Sequence, residues 1–585
     1  MLLARPSRLF WIPRTLSLMA LALFTLSFLH ASQDPLAIGT TKQLFLGPWG
    51  EDGRDTYLLD SMTNVAITMN EAQVTGERLM DLDRPWEGKG ILDMRQFVLK
   101  DGEGGFRIYY SALPYQRFPK DRDPATERKF WTAPHQRILC FAESRDGIHW
   151  EKPNLGLYSW EGSRENNILF PNDDFPYLFS EMEGASVFID PNAASADEKH
   201  KMLVKISPIR RDPSAPEGDD PAKAAPMLQK GQYSFISSDG IHWKLVSPKK
   251  LPVKHNDTHF SVFWDKRINK YVAYTRRRRE SPEQISYYRK RYGFDGRTSV
   301  LTVGRIVSDD FRSWSEEDAY YWDSPQFHPV VTISPDTLDQ VGSPPGLNRM
   351  DFYGGNVSKY SEAPDAYIAL PNAYYHWKFD MSRRTWQGRP VQLPSTLDVQ
   401  LMTSRDGIRW NRSPRRRPFI RLGRKGTFWS STLWPNNVIT VGDEIWIFLA
   451  GLDVSHKEQS LLESHGARTR AVLRLDGFFS ADAAYGGGEL TTRSLIFTGD
   501  RLQLNLDTSA GGVVRVEIQG PEGEALPGFA AEDADEINGN YIRVSASWKG
   551  STGVGSLAGR PVRLRFLMRD ARLYSFQFLP GESSP

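Results

Sequence analysis

A seven-residue phrase recurs along this chain, and its spacing restricts the fold more than any other feature. Ser144-Arg145-Asp146-Gly147-Ile148-His149-Trp150, Ser237-Ser238-Asp239-Gly240-Ile241-His242-Trp243 and Ser404-Arg405-Asp406-Gly407-Ile408-Arg409-Trp410 are near-copies. Ser308-Asp309-Asp310-Phe311-Arg312-Ser313-Trp314 is a looser copy, and Asp476-Gly477-Phe478-Phe479 a worn one. The residue types suit a tight hairpin turn. Ser and Asp side chains accept hydrogen bonds from the backbone N–H groups just ahead, and Gly tolerates positive φ. The Trp then returns a large apolar surface to the next layer.

A second repeat runs in phase with the first. Phe97 to Asp101 leads to Phe106 to Tyr110, Val187 to Asp190 leads to Lys201 to Val204, and Val262 to Asp265 leads to Tyr271 to Tyr274. Val357 to Glu362 leads to Tyr367 to Leu370, and Val438 to Asp443 leads to Ile445 to Phe448. From hairpin acid to box aspartate (101 to 146, 190 to 239, 265 to 310, 362 to 406, 443 to 476) the distances are 45, 49, 45, 44 and 33 residues. Two interleaved repeats with one period predict a radial array of four-stranded blades. The expected fold is all-β: a five-bladed β-propeller followed by a C-terminal β-sandwich.

The segments outside the array read differently. Arg5, Arg8 and Arg14 precede an uncharged run from Thr15 to Leu29 that ends near Ala31-Ser32, so residues 1–32 are expected to be a secretory signal peptide. That run is shorter than the roughly 20 apolar residues a spanning helix needs. A secreted or periplasmic location follows as an expectation, with no stable membrane partner. Residues 33–90 are expected as a lead-in packed on the propeller, 91–482 as the propeller, and 489–580 as the sandwich. The last assignment rests on strict apolar–polar alternation in Val514 to Ile518 and Val562 to Leu567, beyond the Gly486-Gly487-Gly488 hinge. With 73 basic against 71 acidic residues there is no electrostatic case for nucleic acid. The single Cys140, between Leu139 and Phe141, predicts a buried inert thiol. Two basic runs, Arg276 to Arg279 and Arg415 to Arg417, read as solvated loop.

Propeller geometry turns the repeat into a map. The first strand of each blade is innermost, so the residues that open it point into a central channel, away from the box turns. Counting back from the hairpin acids places Asp93, Glu183, Asp257 and Asp351 at or near these openings, and Trp429 at the fifth. Crowded carboxylates are costly unless a ligand or a cation compensates them. Two carboxyl groups in different protonation states are what glycoside hydrolysis requires. The expected catalytic set is therefore Asp93 and Asp257, as nucleophile or base and transition-state stabiliser, with Glu183 as general acid. Arg95, His259, Asp351, Tyr374, Trp377, Asp398 and Trp429 are expected to bind substrate, the aromatics by stacking on a sugar ring. The alternative for the acids is pairing with Arg95, Arg349 or backbone N–H groups as blade-joining contacts. His255-x-Asp257-x-His259 shares one strand face, a weak pattern for a metal; no metal and no cofactor are expected. The loops 112–135, 207–231, 278–298, 371–396 and 452–467 are long enough to carry recognition.

The pattern resembles the glycoside hydrolases of family 32 (invertases and levanases) and the related family 43, nearest to exported bacterial family-32-like proteins. The residues that carry it are Asp83-Arg84-Pro85-Trp86-Glu87-Gly88, Val262 to Asp265, Leu397 to Leu401 with the box that follows, and Leu473 to Phe478. The resemblance implies a glycosidase acting on oligo- or polysaccharides. The family's Asn-Asp-Pro-Asn-Gly nucleophile motif and Glu-Cys acid motif are absent, and the Arg-Asp-Pro copies at 122–124 and 211–213 open no inner strand. Two other functions fit the same residues: a non-catalytic carbohydrate-binding propeller, or a glycoside phosphorylase whose basic loop 276–291 would hold phosphate.

Overall fold

A computed structural model describes residues 34–88, 95–102, 104–114, 135–209, 226–252, 261–279, 300–315, 331–335, 339, 347–377, 385–386, 389–390, 395–413, 415–455 and 465–581. Among them every regular element longer than a three-residue 3-10 turn is a strand. Three successive units each form a separate four-stranded sheet in chain order. The first holds Gln96–Lys100, Phe106–Ala112, Ile138–Ser144 and Ile168–Phe170. The second holds Glu181–Ile189, His200–Ser207, Gly231–Ser237 and Lys244–Leu245, and the third Ser261–Asp265, Lys270–Arg279, Val300–Ser308 and Val331–Ile333.

The fourth unit is split along its length. One half, Val357–Lys359, Tyr367–Ala369, Met402–Ser404 and Asn411–Arg412, is again a four-stranded sheet. The other half, Leu347–Phe352, Asn372–Trp377 and Ser395–Val399, joins the fifth unit through a parallel pairing of Leu397 with Thr432. The fifth unit, Thr432–Val441, Glu444–Leu452 and Ala467–Arg474, is therefore part of a seven-stranded sheet. Its outer strand comes from the other end of the sequence, Gln73–Val74 paired with Ala471 and Val472.

The recurring phrase does what its chemistry predicts. In the first copy Ser144 Oγ accepts from Gly147 N at 2.8 Å, and Asp146 Oδ1 accepts from Ile148 N and His149 N, each at 2.8 Å. The copies at Asp239, Asp310 and Asp406 repeat the pattern. Each turn is also gripped by the unit before it. Tyr109 Oη donates to Gly240 O at 3.0 Å, Tyr274 Oη to Gly407 O at 2.7 Å, and Tyr360 Oη to Asp476 Oδ1 at 2.7 Å. Phe188 packs on Phe311, which stands in the third copy where others have glycine and still takes φ 62°. The first turn is covered from the fifth unit, since a Cβ on Gly147 would lie 3.0 Å from the Trp446 ring. The contacts run in a closed cycle, so the arrangement is propeller-like. Trp243 and Trp314 are buried, whereas Trp150 and Trp410 are half-buried.

The C-terminal domain is all-β, with the alternating burial its sequence predicts. Its strands form one hydrogen-bonded network of eight, built around Arg563–Leu579 and Arg501–Gln519. Register breaks at Asn505/Leu506 and Thr508/Val513 bend that pair. The lead-in reaches both domains, and its Leu79, Met80 and Trp86 pack among residues of the first and fifth units. Gln43–Leu44, Leu59–Thr63 and Val65–Met69 belong to the C-terminal network, and only Gln73–Val74 extends a propeller sheet. The reason lies in the pairing partners: Arg563–Leu579 and Phe479–Ala483 each offer an edge that the lead-in covers. Asp476, the worn box copy, ties the two domains together. It pairs with Lys42 at 3.1 Å and accepts from Tyr360 and Ser575, each at 2.7 Å.

Two side-chain expectations separate here. Cys140 is fully buried, and burial drives its thiol well above the ordinary range, as an inert cysteine requires. Arg276 is not in a solvated loop. It is buried in a strand, donates to Tyr353 O at 3.0 and 2.8 Å, and stacks 3.6 Å from the centre of the Tyr353 ring. A guanidinium can be buried this way because its donors and its flat face are both used.

Candidate functional site

Glu183 sits where the inner strand of the second unit opens, just before a register break between Glu183 and Ser186. Gly184 takes φ 66° at that break, a left-handed backbone that suits glycine and turns the strand. The Glu183 side chain is buried against three cations. Arg95 Nε lies 2.9 Å from it, and Arg137 and Lys205 contact it directly. Each cation has a reason to be there. Arg95 immediately precedes the inner strand of the first unit, Arg137 precedes that unit's third strand, and Lys205 is the cross-strand partner of Glu183. Arg137 also pairs with Glu181 at 3.0 Å, so two carboxylates face three cations across the seam of the first two units.

Burial alone would push the Glu183 carboxyl up. Arg137, Arg95 and Lys205 outweigh it and hold the group well below the usual carboxylate range. A carboxyl held ionised in this way has no proton to give. Three cations favour the ionised form, so this geometry places Glu183 as an anion that organises three donors, whereas the general-acid role expected from the sequence needs the neutral form. The pairing with Arg95 is the blade-joining contact that the sequence left open.

Asp351 is fully buried on Leu347–Phe352 and accepts from His376 Nε2 at 2.9 Å. A carboxylate–imidazole pair can store or relay a proton. Tyr374, opposite Asp351 in the ladder, is buried, with its ring 3.9 Å from that of His376 and 5.4 Å from that of Tyr353. It packs with Leu397, Trp434 and Leu452 and is no platform for a sugar. That corrects its assignment: strand alternation turns its side chain into the packing between the fourth and fifth units.

Trp429 lies just before the inner strand of the fifth unit and is half-buried. Its indole lies so close over Gly423 that a Cβ there would be 2.4 Å from Nε1, and over Gly76 so that one would be 3.0 Å from the ring. Phe428 leans on it at 4.7 Å, with Arg78 5.2 Å above the Phe428 ring. This is a held aromatic beside an inner-strand opening.

Asp398 lies on the third strand of its unit, beside Ala373 in register, and not on an inner strand. Its nearest partner is Gln400 Nε2 at 3.4 Å. Burial of the carboxyl pushes it up to about 7, against the weaker pull of Gln400, Arg421 and Arg412. Aspartate in an unfolded chain titrates near 3.9. Between about pH 4 and 7 the folded protein thus holds the extra proton, and its stability falls as pH rises through that window. Asp398→Asn is expected to remove this slope, gaining on the parent between about pH 5 and 8 in urea unfolding. Equal slopes for the two proteins would refute the assignment.

Asp93, Asp257 and His259 lie outside the described residues, as does the Trp377 side chain. Among the described residues no group of three or more His, Cys, Asp and Glu could hold a metal ion. The sequence reading passed over Arg137 and Lys205. Lys205 carried a signal, since a lysine between Val204 and Ile206 in an apolar strand needs a counter-charge.

No protein-family model matches the chain, and no curated protein matches it either. Solved structures with some likeness include one described as "Glycoside hydrolase", 12% identical, covering 71% of this chain and 92% of its own, with a TM-score of 0.38. A family 43 arabinoxylan arabinofuranohydrolase from Bacillus subtilis is 11% identical, covering 84% and 97%, at a TM-score of 0.33. A member of family 130, described as mannoside phosphorylases that include glycoside hydrolases targeting β-1,2 mannosidic linkages, is 11% identical, covering 70% and 94%, at 0.39. Likeness at this level fixes neither activity nor substrate.

Proposed function

We propose that the chain is an exported, five-bladed glycoside hydrolase of a family-32- or family-43-like kind, cleaving oligo- or polysaccharides in its central channel. One observation carries the reading. Inner strands of two different units bring buried carboxylates, Glu183 and Asp351, each held by its own counter-groups. Charge is costly to bury without a task or a partner, and here three cations are gathered on one side chain. In this reading Asp93 and Asp257 supply the reacting pair, one protonated and one ionised. Glu183 keeps Arg95, Arg137 and Lys205 oriented toward sugar hydroxyls, and Trp429 stacks on a ring.

The competing readings separate in one assay. Purified protein is expected to release reducing sugar from a panel of neutral oligosaccharides in phosphate-free buffer. Binding without turnover would replace the proposal with a carbohydrate-binding propeller, and turnover only with inorganic phosphate would make it a phosphorylase. In the basic loop that the phosphorylase reading invokes, Arg276 donates to Tyr353 O through Nε and one terminal nitrogen. Export is tested separately: protein recovered from its native host is expected to begin near Ser32, and an intact mass retaining Met1 argues for an anchor instead.

A further inference from the structure

We propose that a cleft of about 460 Å³, where the lead-in, the C-terminal domain and the fourth unit meet, is a second carbohydrate site that takes a neutral oligosaccharide segment. It shares no residue with the Glu183 cluster. Trp49, Phe479, Ile67 and Met69 give it an apolar wall, and Glu51, Arg415 and Arg417 stand at it as charged groups. Its size falls within the roughly 300–1,000 Å³ of small-ligand pockets.

The aromatic wall is rigid. Trp49 opens a tight turn closed by Gly50 N donating to Arg54 O at 2.8 Å. The buried Asp55 fixes the base of that turn, accepting from Leu46 N and Gly47 N at 2.8 Å, Tyr57 N at 3.0 Å and Leu58 N at 3.2 Å. Thr403 Oγ1 and Asn411 Nδ2 bind Leu46 O at 2.7 and 3.1 Å, which locks the turn to the fourth unit. The Trp49 ring then rests on Phe479 at 4.8 Å. A platform held this firmly costs little entropy when a ligand arrives.

The charges select the ligand. Arg415, Arg417 and Glu51 are exposed and make no ion pair or hydrogen bond among the described residues, while Asp52 is paired with Arg54 at 3.4 Å. An anionic ligand meets Glu51 and Asp52, and a cationic one meets the arginines. Sugar hydroxyls both donate and accept, so they serve guanidinium and carboxylate alike. The C–H face of a pyranose or furanose suits an indole. For its ligand class the inference rests on the carbohydrate reading above, but the cleft is tested by binding alone.

The experiment is native gel electrophoresis of the full chain in gels containing linear arabinan, levan or β-mannan, with polygalacturonate as the anionic control. At least one neutral polymer is expected to retard the parent. Trp49→Ala and the double variant Arg415→Ala/Arg417→Ala should each weaken that retardation about tenfold. Both variants should cleave small aryl glycosides like the parent, and Asp257→Asn should still be retarded. Should Trp49→Ala fail to fold, the arginine variant, altered only at exposed positions, gives the same reading. No retardation by any neutral polymer, retardation by polygalacturonate alone, or undiminished retardation of the arginine variant would overturn the proposal.

Discussion

Glu183→Gln is expected to cost about 3–5 kcal/mol of folding stability, the range found when one partner of a buried ion pair is removed. The amide fills the same space but takes away the anion that Arg95, Arg137 and Lys205 surround. Lys205→Met in the same chain should recover part of the loss, because it removes surplus positive charge from a buried strand. The pH dependence has a definite sign. An unfolded glutamate titrates near 4.3, and the folded one far lower. Its contribution is therefore complete at neutral pH and disappears as pH falls through the folded value. Guanidinium unfolding of the three proteins measures all of this, and an unchanged midpoint for Glu183→Gln would mean the cluster does not support the fold.

Asp93→Asn and Asp257→Asn are expected to behave in the opposite way. Each should lower hydrolysis about 10²–10⁴-fold, the usual contribution of a positioned acid or base, with little change in unfolding. The contrast separates the reacting pair from its scaffold, since Glu183→Gln alters stability and rate together. If either asparagine variant turns over substrate at the parental rate, that residue is not part of the reacting pair. If Glu183→Gln alone retains stability and loses rate, the general-acid role returns to Glu183.

The array was legible because its turn chemistry is local. Ser, Asp and Gly in one heptapeptide specify their own hydrogen bonds, so the turns at Asp146 and Asp239 form as their residues dictate. Strand alternation in Val514 to Ile518 was legible for the same reason. What sequence could not supply was partnership at a distance. Nothing local marks Gln73 as the neighbour of Val472, or Leu397 as the neighbour of Thr432. At the candidate site the same limit holds. Counting back from a hairpin acid finds Glu183, but its protonation state is set by Arg95 and Arg137, residues 88 and 46 positions earlier in the chain. Tyr374 failed for a different reason, because an aromatic cluster looks alike whether it faces a ligand or the neighbouring unit.

The outer strand Gln73–Val74 also governs when this protein becomes whole. Its partner strand ends at Arg474, and Gln43–Leu44 waits for Phe576 and Ser575, more than five hundred residues later in the chain. Early and late parts of the polypeptide must therefore find each other, a long-range closure that slows folding. A chain stopped after its last propeller strand would carry bare edges at Leu59–Thr63 and Val65–Met69, open to pairing between molecules. The C-terminal domain is thus no detachable appendage but the clasp without which the rest has an unfinished seam.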